Sequence, residues 1–93
     1  MTIKILKSFS TKLEKQIAYI SKDKPQAARN FKKEILERIK ELDSMPYKHQ
    51  KSKYFNSEAI RDLVFKGYVV VYRINENQKA IEVFGFIKYE EKL

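Results

Sequence analysis

Residues 60–74 read I-R-D-L-V-F-K-G-Y-V-V-V-Y-R-I. Two runs rich in β-branched and aromatic residues meet at Lys66-Gly67, where a glycine supplies the positive φ that a tight hairpin turn needs. The run predicts strands over Ala59–Phe65 and Tyr68–Ile74. Val70, Val71, Tyr72 and Ile74 make the second apolar almost throughout, as expected of a strand flanked on both sides. A third strand is predicted over Ala80–Ile87, joined to the second by the polar loop Asn75–Lys79.

Upstream, Thr2 to Ser8 alternates Lys4 with Ile3 and Ile5, the pattern of a short strand. Thr11-Lys12-Leu13-Glu14 has capping-box spacing and predicts a helix start. Phe9, Leu13, Ile17 and Ile20 lie on one face of that helix, which ends near Ser21 to Lys24. A second helix follows, with Asp23 as its expected cap and Pro25 in the first turn. Its stripe is Ala28, Phe31, Ile35, Ile39 and Leu42, with Glu34 and Arg38 as an attractive i,i+4 pair on the outside. Met45-Pro46 ends it. Tyr47 to Glu58 has no clear period and reads as a basic loop. The expected fold is therefore α+β, in the order β-α-α-β-β-β. A helical hairpin covers one face of a mostly antiparallel four-stranded sheet, leaving the other face without a helix.

Ninety-three residues form a single domain, 1–93. Without cysteine there is neither a disulfide framework nor a thiolate metal site. No apolar run approaches the roughly 20 residues that span a bilayer, and the N-terminus reads as a strand, so a cytoplasmic protein is expected. Twenty basic against twelve acidic side chains give a net charge of +8. That charge suits an anionic partner: nucleic acid, the ribosome or an acidic protein.

One histidine argues against a metal centre, and no cofactor is expected: Gly67 and Gly85 stand alone, without a phosphate-binding loop. His49 reads as a surface histidine in a polar loop. What remains is Arg and Lys set among Tyr and Phe. Those residue types serve metal-free RNA cleavage or plain gripping of nucleic acid. Arg61 and Arg73 read either as a cationic pair on the open face or as partners of carboxylates such as Asp62, Glu76 or Glu82. Tyr68 and Tyr72 read as sheet residues in or beside the core.

Three segments in order, D-K-P-Q-A-A-R-N-F-K-K-E-I at 23–35, I-x-x-L-x-x-x-P at 39–46 and R-D-L-V-F-K-G-Y-V-V-V-Y-R-I at 61–74, resemble the RelE/ParE family of bacterial toxins. The resemblance covers nearly the whole chain. It implies a type II toxin neutralised by a cognate antitoxin, a partner that +8 would suit. RelE-like members cleave mRNA on the ribosome, and ParE-like members poison DNA gyrase. RelE-like nucleases carry arginine after the Gly-Tyr of the third strand, where this chain has Val69. Their second-strand lysines correspond to Ile60 and Asp62. The P-Q-A-A segment and the R-D-L before Gly-Tyr look more like the ParE branch.

The resemblance thus implies a gyrase inhibitor acting by binding; charge and sheet placement make Arg61, Lys66, Arg73 and Lys88 the expected contacts. The alternative is a ribosome-dependent, metal-independent endoribonuclease. In that case Lys48, Lys51 and Lys53 hold nucleic acid, while Arg61, Lys88 and Tyr89 serve the scissile bond. A further alternative is a non-toxic binding module of the same fold.

Overall fold

The computed structural model describes residues 1–88. Strand β1 (Thr2–Ile5) leads into helices α1 (Lys7–Ser21) and α2 (Pro25–Lys40), the latter extended by a 3-10 turn, Glu41–Asp43. Strands β2 (Gln50–Lys51), β3 (Ile60–Phe65), β4 (Tyr68–Asn75) and β5 (Ala80–Lys88) follow. The sheet runs β1-β5-β4-β3-β2. β1 is parallel to β5 and every other pairing is antiparallel. The α+β class agrees with the sequence, but the sheet has five strands. The fifth is the two-residue β2, too short to leave a periodic signal inside the loop 47–58.

The helical stripes bury as their spacing dictates. Phe9 and Leu13 of α1 and Phe31, Ile35 and Ile39 of α2, with Leu42, close on Leu63, Phe65, Val70, Tyr72, Ile74, Ile81, Val83 and Phe86. Ile17 and Ile20 pack at the margin. Burial of this kind, at about 25 cal/mol per Å² of apolar surface, is the main force holding hairpin to sheet. Both expected caps are displaced. α1 starts a turn before Thr11, with Leu6 in the cap position and no side-chain cap, so Thr11 and Glu14 lie inside the helix. Fully buried Phe9 anchors this early start, and strand β1 accordingly stops at Ile5 rather than Ser8. At α2 the cap position is Lys24, not Asp23, while Pro25 takes the first turn as expected. Glu34 pairs with Lys66 at 2.6 Å, and Arg38 lies over the Phe65 ring at 5.6 Å, so the expected Glu34–Arg38 pair gives way to contacts with the hairpin.

Lys66 (φ 47°) and Gly67 (φ 83°) both have positive φ, the conformation of a type I′ hairpin turn. A bulge interrupts β5: Val71 faces Gly85 and Tyr72 faces Val83, leaving Phe84 as the extra residue. Its carbonyl accepts a 2.7 Å bond from the Ser8 hydroxyl of α1. The bulge is why Ile81, Val83 and Phe86, which break strict alternation, all reach the core. Gly85 sits where a Cβ would lie 3.0 Å from Val71 Cβ. Gly85→Ala is therefore expected to cost about 1–3 kcal/mol by overpacking. Adding Val71→Ala should return about 1 kcal/mol of coupling, measured by urea denaturation of the double-mutant cycle.

Candidate target-binding surface

The loop between the 3-10 turn and β3 wraps round the β3 edge of the sheet as a strap. On the helix side, the Tyr72 hydroxyl donates to the Pro46 carbonyl at 2.7 Å. At the edge, β2 pairs with Arg61 and Asp62. On the open side, the Lys53 N–H donates to Asp62 Oδ2 at 2.9 Å, and the Phe55 ring meets the Phe84 ring edge-on at 5.4 Å. The face left without a helix is therefore partly covered, and Val69 and Val71 are buried there.

Arg61 and Arg73 do not form a pair on one face. Arg61 is opposite Tyr72 in register, on the helix side, whereas Arg73 is opposite Ile60 and Glu82 on the open side. Arg61 donates to the carbonyls of Glu58 (3.0 Å) and His49 (3.1 Å), and its guanidinium lies 5.2 Å from the Tyr47 ring centroid. Its carboxylate neighbour is Glu58 at 3.7 Å, not Asp62, Glu76 or Glu82. Arg73 does pair with Glu82, through a 2.7 Å bond from Nε. A groove of about 510 Å³ at the end of the β3–β4 hairpin is lined by both arginines, together with Tyr47, Glu58 and Glu76. Tyr47 donates to Glu76 at 2.6 Å, and that bond to a carboxylate raises its pKa above the ordinary value.

The other expected contacts are dispersed. Lys66 sits at the hairpin tip, 60% exposed and paired with Glu34. Lys88 ends β5 opposite Tyr68 and is exposed. Lys51 pairs with Glu58 at 3.3 Å. Lys48 and Lys53 are exposed at the rim of a second pocket, with Arg38, His49, Tyr54 and Asp62. Tyr89 lies outside the described residues. Among the described residues no group of three His, Asp or Glu is placed to hold a metal, and no helix is long and apolar enough to cross a membrane.

Sequence reasoning missed two residues. Asp62 is 8% exposed and anchors the open side of the strap. Its place in β3 gave no hint, since its partner is a backbone N–H in a loop without period. His49 is half-buried rather than a surface histidine, with its ring edge-on to Tyr72 at 6.2 Å. Burial first, then the nearby Lys48 and Arg38 charges, push its pKa below the ordinary 6.5. Tyr72, on the core side of the same contact, is pushed up to about 12, chiefly by burial.

Arg61→Ala is expected to lower stability by about 1–3 kcal/mol, because two carbonyls lose a charged donor and the strap loses one of its helix-side holds. Urea unfolding checks this, and Arg61→Lys should restore little, a single ammonium being unable to copy the fork. For His49, an NMR titration should give a midpoint below 6.5, rising in Lys48→Ala. The sign follows from the lowered pKa: folding favours neutral imidazole, so His49's contribution is complete above 6.5. It is lost as pH falls through the folded-state midpoint.

The comparisons with known proteins agree with this fold. The family described as the ParE toxin of the type II toxin–antitoxin system, parDE, matches residues 3–92. A search of curated proteins gives no match. The match spans both helices and, apart from Thr2, every strand, so it covers the strap and both arginines. The chain belongs to the ParE toxin family of type II toxin–antitoxin systems.

Proposed function

We propose that this toxin inhibits DNA gyrase by binding, without catalysis of its own. Membership in a toxin–antitoxin family implies a cognate antitoxin that restrains it. The observation carrying the gyrase reading is the chemistry of the open face. Where RelE-like nucleases resembling this chain carry arginine, Val69 is 2% exposed. Where they carry lysines, Ile60 is half-buried and Asp62 is buried against the strap. Cleavage without a metal needs cations at the developing phosphorane charge. Among the described residues, the open-face strand positions 60, 62, 64, 69, 71 and 73 offer only Arg73, already engaged by Glu82. Charges that grip a partner have no such requirement of convergence.

In this reading Lys66, Arg73 and Lys88 meet the target directly. Arg61 acts mainly by holding the strap that forms one wall of the groove. The test is a cleavage-trapping assay with purified gyrase, ATP and plasmid. Dose-dependent double-strand breaks that require gyrase are expected. Lys66→Ala with Arg73→Ala should cut potency about tenfold, equivalent to ~1.4 kcal/mol of binding. Lys66→Ala should change folding stability by only about 0–1 kcal/mol, as for an exposed ion pair, and Arg73→Ala by about 1–3 kcal/mol, since the Glu82 side chain it leaves unpaired is only 16% exposed. No gyrase-dependent breaks from folded protein, with A-site mRNA cleavage in a purified translation system, would overturn the proposal in favour of a nuclease.

A further inference from the structure

The pocket on the strap's outer side has a chemistry the gyrase reading does not use. Its volume is about 310 Å³, and it is lined by Arg38, Lys48, His49, Lys53, Tyr54 and Asp62. Val64 and Val69 add apolar surface. Val64 is 60% exposed, and Tyr54 is 46% exposed beside it. Asp62 is more than nine-tenths buried, and although Oδ2 accepts the Lys53 N–H, Oδ1 has no hydrogen-bond partner. An unpartnered buried carboxylate oxygen is costly, so it marks a position where a donor is wanted. Three cationic side chains against one carboxylate disfavour an arginine or lysine as that donor. A ligand that is anionic overall and also presents an N–H fits both halves of the site.

The geometry points to a nucleotide-binding site in which Arg38, Lys48 and Lys53 hold phosphate and Asp62 reads the amino group of a base. The base lies against Tyr54 and the exposed side of Val64, which supply a ring face and an apolar floor. Asp62 lines the pocket, and its Oδ1 is buried. The donor reaches it past Gln50, Lys53 and Tyr54, exposed side chains that share this rim and change rotamer at little cost. Nucleic acid strand and free nucleotide present the same chemistry. Occupancy does not depend on the gyrase reading, since it is measured with the toxin alone.

The full chain is titrated by NMR with AMP and with purine riboside 5′-monophosphate, which differs by lacking the amino group. AMP is expected to bind about fivefold more tightly or better, because the second ligand leaves Oδ1 unpaired. Asp62→Asn should abolish that gap. Should Asp62→Asn fail to fold, Lys48→Ala with Lys53→Ala, both exposed, should weaken the two nucleotides alike by several-fold. A single-stranded trinucleotide of adenine that binds more tightly than AMP assigns the site to a strand; binding no tighter assigns it to free nucleotide. Equal affinity for the two monophosphates, or no saturable binding of either at millimolar concentration, overturns the proposal.

Discussion

Neighbouring side chains on β3, Arg61 and Asp62, point to opposite faces of the sheet, and between them they hold the strap. Arg61 takes the His49 carbonyl on the helix side, and Asp62 takes the Lys53 N–H on the open side. Three residues of strap, Gln50 to Ser52, lie between those two anchors. Each bond joins a charged group to backbone, the kind worth roughly 1.5–3 kcal/mol when shielded from water. The walls of both pockets, the cover over Val71 and the placement of His49 all follow from this one clamp. A strap fixed from both sides cannot slip by a residue, because a slip would exchange an acceptor for a donor at each anchor.

Charge is distributed unevenly on this protein of net +8. Cations on the sheet are largely spent on internal carboxylates: Lys66 on Glu34, Arg73 on Glu82, Lys51 on Glu58. Lys48 and Lys53 stand at the rim of the strap with no carboxylate within salt-bridge distance among the described residues. Such an arrangement leaves them, with Arg38 at the same pocket, available to an anionic ligand.

The helices and three long strands were legible because each carries a period longer than its own ambiguity. Phe9 to Ile20 and Ala28 to Leu42 repeat at helical spacing, and Lys66-Gly67 names its turn. Face assignment failed for the arginines for a specific reason. Alternation correctly put Arg61 with Leu63 and Phe65, but which of those faces lies under the hairpin is decided by the helices. Once Leu63 and Phe65 are buried there, Arg61 must follow them. The α1 cap failed because burial of Phe9 outweighed a local capping motif worth about 1 kcal/mol. The strap was invisible because its bonds are from side chain to backbone, and such bonds impose no pattern on the residues that supply the backbone.

Thr2 lies beside Ala80 in the parallel β1–β5 pairing. A contact spanning that much sequence is formed late and slowly, since a long loop must close before the pairing gains anything. α1 also rests on β5 through Ser8 and the Phe84 carbonyl. During synthesis, the helical hairpin is therefore made well before the strand that seats it. Until residues near 80 have left the ribosome, β1 has no neighbour and α1 has no bulge to hold. The five-stranded sheet is thus complete only once β5 has been made, however early the helical hairpin forms.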